Sequence, residues 1–134
     1  MNTPEPTGQD GFQPLAAGPV LRDAAAGPWH RRWLVVDEDL NWLDARRAPE
    51  LPGLHLQLRF GYLALRASGM LRLDVPLDVI EDDPEVECRV GVAGQSVRAV
   101  DEGDLAAAWF SQWLGQPARL VKIHPEASAV HWPA

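Results

Sequence analysis

The segment Leu54–Val75, LHLQLRFGYLALRASGMLRLDV, decides the fold. Leu54, Leu56, Leu58 and Phe60 alternate with His55, Gln57 and Arg59, and a period of two puts the apolar set on one face of a strand and the polar set on the other. Gly61 ends that strand, and Tyr62–Ala67 reads as its partner. Ser68-Gly69 makes the next turn, and Leu71, Leu73 and Val75 then alternate with Arg72 and Asp74. Three strands joined by short glycine turns form an antiparallel meander, because such loops connect only neighbours that run in opposite directions.

Downstream, after the acidic loop Glu81-Asp82-Asp83-Pro84, whose acidic run continues through Glu85 and Glu87, the residues Val86, Cys88, Val90 and Val92 alternate with Glu87 and Arg89. Ala93-Gly94-Gln95 turns the chain into Ser96–Val100, a further hairpin. One segment has helical spacing. Leu105, Trp109, Phe110, Trp113 and Leu114 share a face, with Asp104 placed to cap the start and Gly115 the end. Pro117 stops the helix, and Ala118–Ile123 has the branched content of a last strand. Upstream, Pro28–Pro49, PWHRRWLVVDEDLNWLDARRAP, reads as a hairpin with an acidic turn and an Arg pair at each end, Arg31-Arg32 and Arg46-Arg47. The expectation is a mainly β domain: a small antiparallel or mixed β-barrel or pseudo-barrel of about seven strands, its open side closed by one amphipathic helix near the C-terminus. By composition, residues 1–11 form a disordered polar tail, 12–123 the domain and 124–134 a second tail.

The chain of 134 residues carries 19 acids against 12 bases, a net charge of −7, which argues against a general nucleic-acid role because phosphate backbones need a basic footprint. The single Cys88 excludes an internal disulfide and a multi-cysteine zinc site. The early apolar stretch from Pro14 to Leu21 is interrupted by Gly18 and Pro19, so neither a signal peptide nor a membrane span can be drawn, and a cytoplasmic protein is expected.

Candidate chemistry is sparse. Cys88, flanked by Val86 and Val90, reads as a packed thiol; the histidines His30, His55, His124 and His131 have no ligand spacing; the acidic run lacks the glycine and spaced oxygens of a calcium loop. No nucleophile, base and orienter stand together, so no catalytic or metal site is assigned. What remains is the arginine cluster. A guanidinium is a rigid planar fork that matches phosphate or carboxylate, so these arginines either pair with the chain's own acids or meet an anionic partner. Trp33, Trp109 and Trp113 are expected in the core, whereas Trp29, Trp42 and Trp132 are candidates for a contact surface. Aromatics beside arginines are favoured at interfaces, which makes Arg32, Trp42 and Arg47 the candidate partner-binding residues.

His30-Arg31-Arg32-Trp33-Leu34-Val35-Val36-Asp37, followed by Trp42-Leu43-Asp44-Ala45-Arg46 and Pro49, resembles the Asp-Arg-x-Trp-hydrophobic-Val-Val-Asp … Phe-Leu-Thr-Gln-Arg-x-x-Pro signature of the MOSC N-terminal β-barrel domain. Asp101-Glu102-Gly103-Asp104, Trp109 and Leu114-Gly115-Gln116-Pro117-Ala118-Arg119-Leu120-Val121 are similar to that family's second motif. In the family this barrel precedes a catalytic MOSC domain in molybdenum cofactor sulfurases and amidoxime-reducing proteins, and no such domain is expected within this chain.

The resemblance implies an anion clamp facing the molybdopterin phosphate, with Arg31 at the family's Arg and with Arg46 and His30 as further cofactor-binding candidates. The expected Tyr-Pro-x-Lys-Ser stands here as Phe12-Gln13-Pro14-Leu15-Ala16-Ala17, which places Ala at both polar ligands. His30 replaces an Asp, and Asp44-Ala45 replaces Thr-Gln. The expectation is therefore a non-catalytic accessory domain with at most weak molybdenum cofactor contact, meeting a separate MOSC-domain protein or a phosphorylated ligand through its Arg-rich hairpin. The alternative is half of a molybdenum-cofactor-dependent enzyme, of the sulfurase or N-oxide/hydroxylamine reductase type, whose catalytic MOSC domain lies on another chain or is missing from this sequence.

Overall fold

Trp33, Leu34, Val35 and Val36 are consecutive, apolar and all fully buried, which requires a strand covered on both faces. In this computed structural model, which describes residues 11–78 and 85–133, they form β1 (Trp33–Val36), and its side chains divide between two cores. Trp33 and Val35 enter one apolar cluster, and Leu34 and Val36 enter another. The strand's pairing partner comes from the far end of the chain: β7 (Arg119–Ile123) runs antiparallel to it, with Leu34 opposite Val121.

The remaining strands are β2 (His55–Arg59), β3 (Tyr62–Arg66), β4 (Leu73–Pro76), β5 (Glu87–Val92) and β6 (Gln95–Asp101). They assemble into a four-stranded sheet ordered β1-β7-β6-β5 and a three-stranded sheet ordered β2-β3-β4, with every ladder antiparallel. The meander packs its leucines, together with Phe110 and Leu114 of α1 (Asp104–Leu114), against the first face of the larger sheet. No ladder joins the two sheets among the described residues, so the seven expected strands form a pseudo-barrel rather than a closed barrel. The second face is covered by Ala16, Leu40, Trp42, Val130 and Trp132.

The sequence reading needs correction at the ends of elements. Phe60, assigned to the buried face of β2, is 90% exposed because it sits in the turn to β3 with φ of 48°. Leu71, counted into the third alternation, is 87% exposed, since β4 starts only at Leu73. Leu105, placed on the helix's apolar face by spacing, is 78% exposed in the first turn. The N-cap is Gly103, whose φ of 105° favours glycine, and Asp104 is already helical. The hairpin's second arm is reduced to a single bridge between Val36 and Trp42. Its tip instead docks on β5, where Trp42 N–H donates to Gly91 O at 2.9 Å and Gly91 N–H to Leu40 O at 2.8 Å. A Cβ at position 91 would displace the Asn41 side-chain oxygen, which lies over the glycine.

Residues 124–133 lie along the second core, where Val130 and Trp132 pack. Gln95 fixes the segment by donating to His131 O at 2.8 Å and accepting from His131 N–H at 2.9 Å. Residues 1–10 and the acidic loop 81–84 lie outside the described residues.

Candidate functional site

Residues 13–16 run beside residues 31–33, with Arg31 N–H donating to Gln13 O at 2.7 Å, Trp33 N–H to Pro14 O at 3.1 Å and Ala16 N–H to Trp33 O at 2.9 Å. Gln13 is the organising side chain of this pairing. Its backbone N–H donates to His30 Nδ1 at 2.9 Å, its Nε2 donates to Gly18 O at 2.9 Å, and its Oε1 accepts from Arg31 Nε at 3.1 Å. Sequence reading passed over Gln13 as a ligand, although it adjoins the Pro14 on which the motif alignment rests.

A concavity of about 310 Å³ opens where these segments meet the hairpin, lined by Gln13, Ala17, Arg31, Trp42, Arg46 and Pro133 among others. Arg31 has φ of 53° and Ala17 has φ of 76°, both in the left-handed region that costs a non-glycine residue roughly 1–2 kcal/mol. The other three described non-glycine residues with positive φ, Leu40, Phe60 and Ala93, sit in hairpin turns. Arg31 and Ala17 are third residues of hydrogen-bonded turns, closed by Arg32 N–H to Trp29 O at 3.1 Å and by Gly18 N–H to Leu15 O at 2.8 Å, and both line the hollow.

The electrostatics separate the arginines. Arg47 turns away from the concavity: its Nη2 bonds Asp37 Oδ2 at 2.6 Å and its Nη1 bonds Trp42 O at 3.2 Å, which ties the turn to the strand after it. Burial raises the Asp37 carboxyl, but hydrogen bonds from Asn41 N–H, the Arg47 guanidinium and Asp39 N–H together hold it below the usual carboxylate value. Arg32 reaches Ile123 O at 3.4 Å and lies 5.8 Å from the Trp29 ring centroid. Arg31 and Arg46 have no carboxylate partner among the described residues. The Arg31 guanidinium rests 5.6 Å from the Trp132 ring centroid, a contact that sequence reading missed because Trp132 lay in a presumed tail.

Asp44, which also lines the concavity, spends its Oδ1 on the backbone N–H groups of Arg46 and Arg47, both at 3.1 Å. It thereby sets the turn that presents Arg46. Trp42 packs edge-on to Trp132 at 5.0 Å, and its buried indole N–H has no hydrogen-bond partner. A buried donor without a partner costs about 1–3 kcal/mol, a local cost that the packing of Trp42 against Trp132 offsets.

His30, Arg31 and Arg32 line an adjoining groove of about 320 Å³ with His124 and Trp132. Burial and the neighbouring Arg31 lower the His30 pKa, so its Nδ1 stays an acceptor for Gln13 N–H at neutral pH. Thus Arg31, Trp42 and Arg46 share the concavity, Arg31 also joins His30 and Arg32 in the groove, and Arg47 belongs to neither. Cys88 is half-buried on β5, and burial together with Asp101 pushes its thiol up, away from nucleophilic use. Among the described residues no His, Cys, Asp and Glu group could hold a metal ion. None of their helices is long and apolar enough to cross a membrane.

A family profile described as the MOSC N-terminal beta barrel domain matches residues 16–117. The chain is 34% identical over 101 residues to molybdenum cofactor sulfurase of Danio rerio, covering 73% of this chain and 12% of that protein. It is 34% identical over 100 residues to mitochondrial amidoxime reducing component 2 of Bos taurus, covering 74% of this chain and 29% of that one. The solution structure of a protein from Bordetella bronchiseptica superposes with a TM-score of 0.79 at 45% identity, covering 92% of this chain and 95% of that chain.

Proposed function

As the chain belongs to the MOSC N-terminal β-barrel domain family, we propose that it is a non-catalytic recognition domain whose Arg31–Arg46 concavity takes the phosphate of a phosphorylated ligand. The observation that carries this reading is the pair of guanidinium groups lining one hollow without a carboxylate partner among the described residues. The Trp42 side chain lines the same hollow. Charge-assisted bonds to phosphate contribute roughly 1.5–3 kcal/mol each, so two forks suffice for weak, selective binding.

The relatives' molybdenum cofactor fits this donor set only at its phosphate end. Ala16, at the position where the resemblance implies Lys, is 1% exposed in the second core, so it offers no replacement cation. Ala17, at the Ser position, lines the hollow but lacks a hydroxyl. When bound, the cofactor would supply the metal-centred chemistry, and this chain's residues would hold its phosphate.

The chain spans 12% and 29% of the sulfurase and the amidoxime-reducing protein. A second reading is that the same arginines form one side of a cofactor site completed by a MOSC domain. An amide chemical-shift titration with a phosphorylated pterin tests the first reading. Saturable shifts at Gln13, Arg31 and Arg46, absent with the unphosphorylated pterin and weaker with inorganic phosphate, are expected. No shifts, or equal shifts with inorganic phosphate, would turn the assignment to the partner protein.

A further inference from the structure

The outer face of the meander carries a second cationic surface, separate from the Arg31 hollow. In the register of β2, β3 and β4, Arg59 lies opposite Tyr62, Gln57 opposite Ala64, His55 opposite Arg66, and Ala64 opposite Asp74. These residues share the outer side because Leu56, Leu63, Leu65, Leu73 and Val75 fill the core side. Phe60 is 90% exposed and Tyr62 47% exposed, and the Arg59 guanidinium lies 5.6 Å from the Phe60 ring centroid. Ala64, small and central, is part of a hollow of about 230 Å³ walled by Arg59, Phe60, Tyr62, Arg72 and Asp74.

Charge on this face runs against the rest of the chain. In a molecule of net charge −7, the acid that lines this hollow, Asp74, is bonded to Arg72 at 3.0 Å. Arg59 and Arg66 have no carboxylate partner among the described residues. Arg, Tyr and Phe around a small cavity are the composition of a protein-binding centre.

We propose that this face docks an acidic, extended segment of a partner protein with the pattern acid–x–apolar–x–acid. Arg59, opposite Tyr62, and Arg66 stand four positions apart along the strand direction, about 13 Å at roughly 3.3 Å per residue. An extended segment puts its residues i, i+2 and i+4 on one side at that same spacing. The two acids then meet Arg59 and Arg66, and the apolar residue between them sits over Ala64. A nucleic acid strand suits the surface less well, since a polyanion must approach a strongly acidic protein with few cations to track its backbone.

The test uses the whole chain and a fluorescein-labelled peptide, Gly-Glu-Ser-Leu-Ser-Glu-Gly, followed by anisotropy and amide shifts. Saturable binding is expected, with shifts on β2, β3 and Arg72–Asp74. The double variant Arg59→Gln/Arg66→Gln, at exposed side chains, should weaken it about tenfold or more. Asp74→Asn, which frees Arg72, should tighten it severalfold. A peptide of the same composition with adjacent glutamates should bind more weakly than the spaced one. Unchanged binding in the double variant, shifts at Arg31 and Arg46 instead, or preference for oligothymidylate of equal charge would each overturn the proposal.

Discussion

Arg119 and Arg31 are both partly buried, both adjoin the β1–β7 ladder, and both are held by a side chain from a distant segment, yet their surroundings are opposite. Arg119 bonds Asp101 through Nε at 2.6 Å and Nη2 at 3.2 Å, and Asp104 at 2.7 Å, which raises its pKa further above the ordinary value. Arg31 is held by the neutral Oε1 of Gln13 and the ring of Trp132. With 19 acids for 12 bases, the composition has carboxylates to spare, yet the one that shares the hollow with Arg31 and Arg46, Asp44, is turned to backbone N–H groups and pairs with neither. Saturated arginines hold elements together, and unsaturated ones on a shaped surface are available to a ligand.

That contrast is open to attack by substitution, and the largest expected effect is at the saturated side. Arg119→Ala leaves Asp101 without its bidentate partner where β6 passes into α1. Discounted for partial exposure, the loss is about 1–2 kcal/mol in urea unfolding, with phosphorylated-pterin binding unchanged. A loss of binding of similar size would erase the distinction.

Next comes the backbone of Arg31. Arg31→Gly and Arg31→Ala remove the same guanidinium, but only glycine accepts φ of 53° without strain, so the glycine variant should be about 1 kcal/mol more stable than the alanine variant. Equal stabilities would mean the backbone relaxes and that no strain is stored at the site.

Arg47→Ala should cost about 0.5 kcal/mol, as its pair with Asp37 is a surface pair. Because the folded Asp37 carboxyl lies below its unfolded value, its contribution is present above the unfolded pKa of about 3.9 and is lost as pH falls through the lower folded one. Arg47→Ala should therefore flatten the acid limb of the stability curve below about pH 4. Smallest of all, Trp42→Phe should change stability by a few tenths of a kcal/mol net, because relief of the buried N–H, unpartnered among the described residues, about 1–3 kcal/mol, is offset by lost packing against Trp132; a thermal melt reads this directly, and a large loss would reveal a hidden acceptor.

The meander, the β5–β6 hairpin and the helix were legible because each is written in local periodicity. Leu56, Leu63, Leu65 and Leu73 alternate as a half-buried sheet must, and they are buried. Phe60, Leu71 and Leu105 misled because alternation and helical spacing do not say where an element stops or where it overhangs its neighbour. The pairing of β1 with β7 was illegible for another reason: their ladder joins residues from opposite ends of the chain, and nothing local encodes it. Arg31, Trp42 and Arg46 could be picked out as candidate residues by type, but Gln13, Trp132 and Pro133 come to them from segments whose composition reads as loop or tail. Only the docking of both terminal segments on the second core completes the hollow.

The central claim is that Arg31 and Arg46 act on one phosphate, and a double-mutant cycle tests it most directly. Calorimetric titration of a phosphorylated pterin into the unaltered chain, Arg31→Ala, Arg46→Ala and the double variant should give a coupling of at least about 0.5 kcal/mol between the two positions. Strictly additive losses, or an affinity indifferent to both substitutions, would contradict a shared clamp.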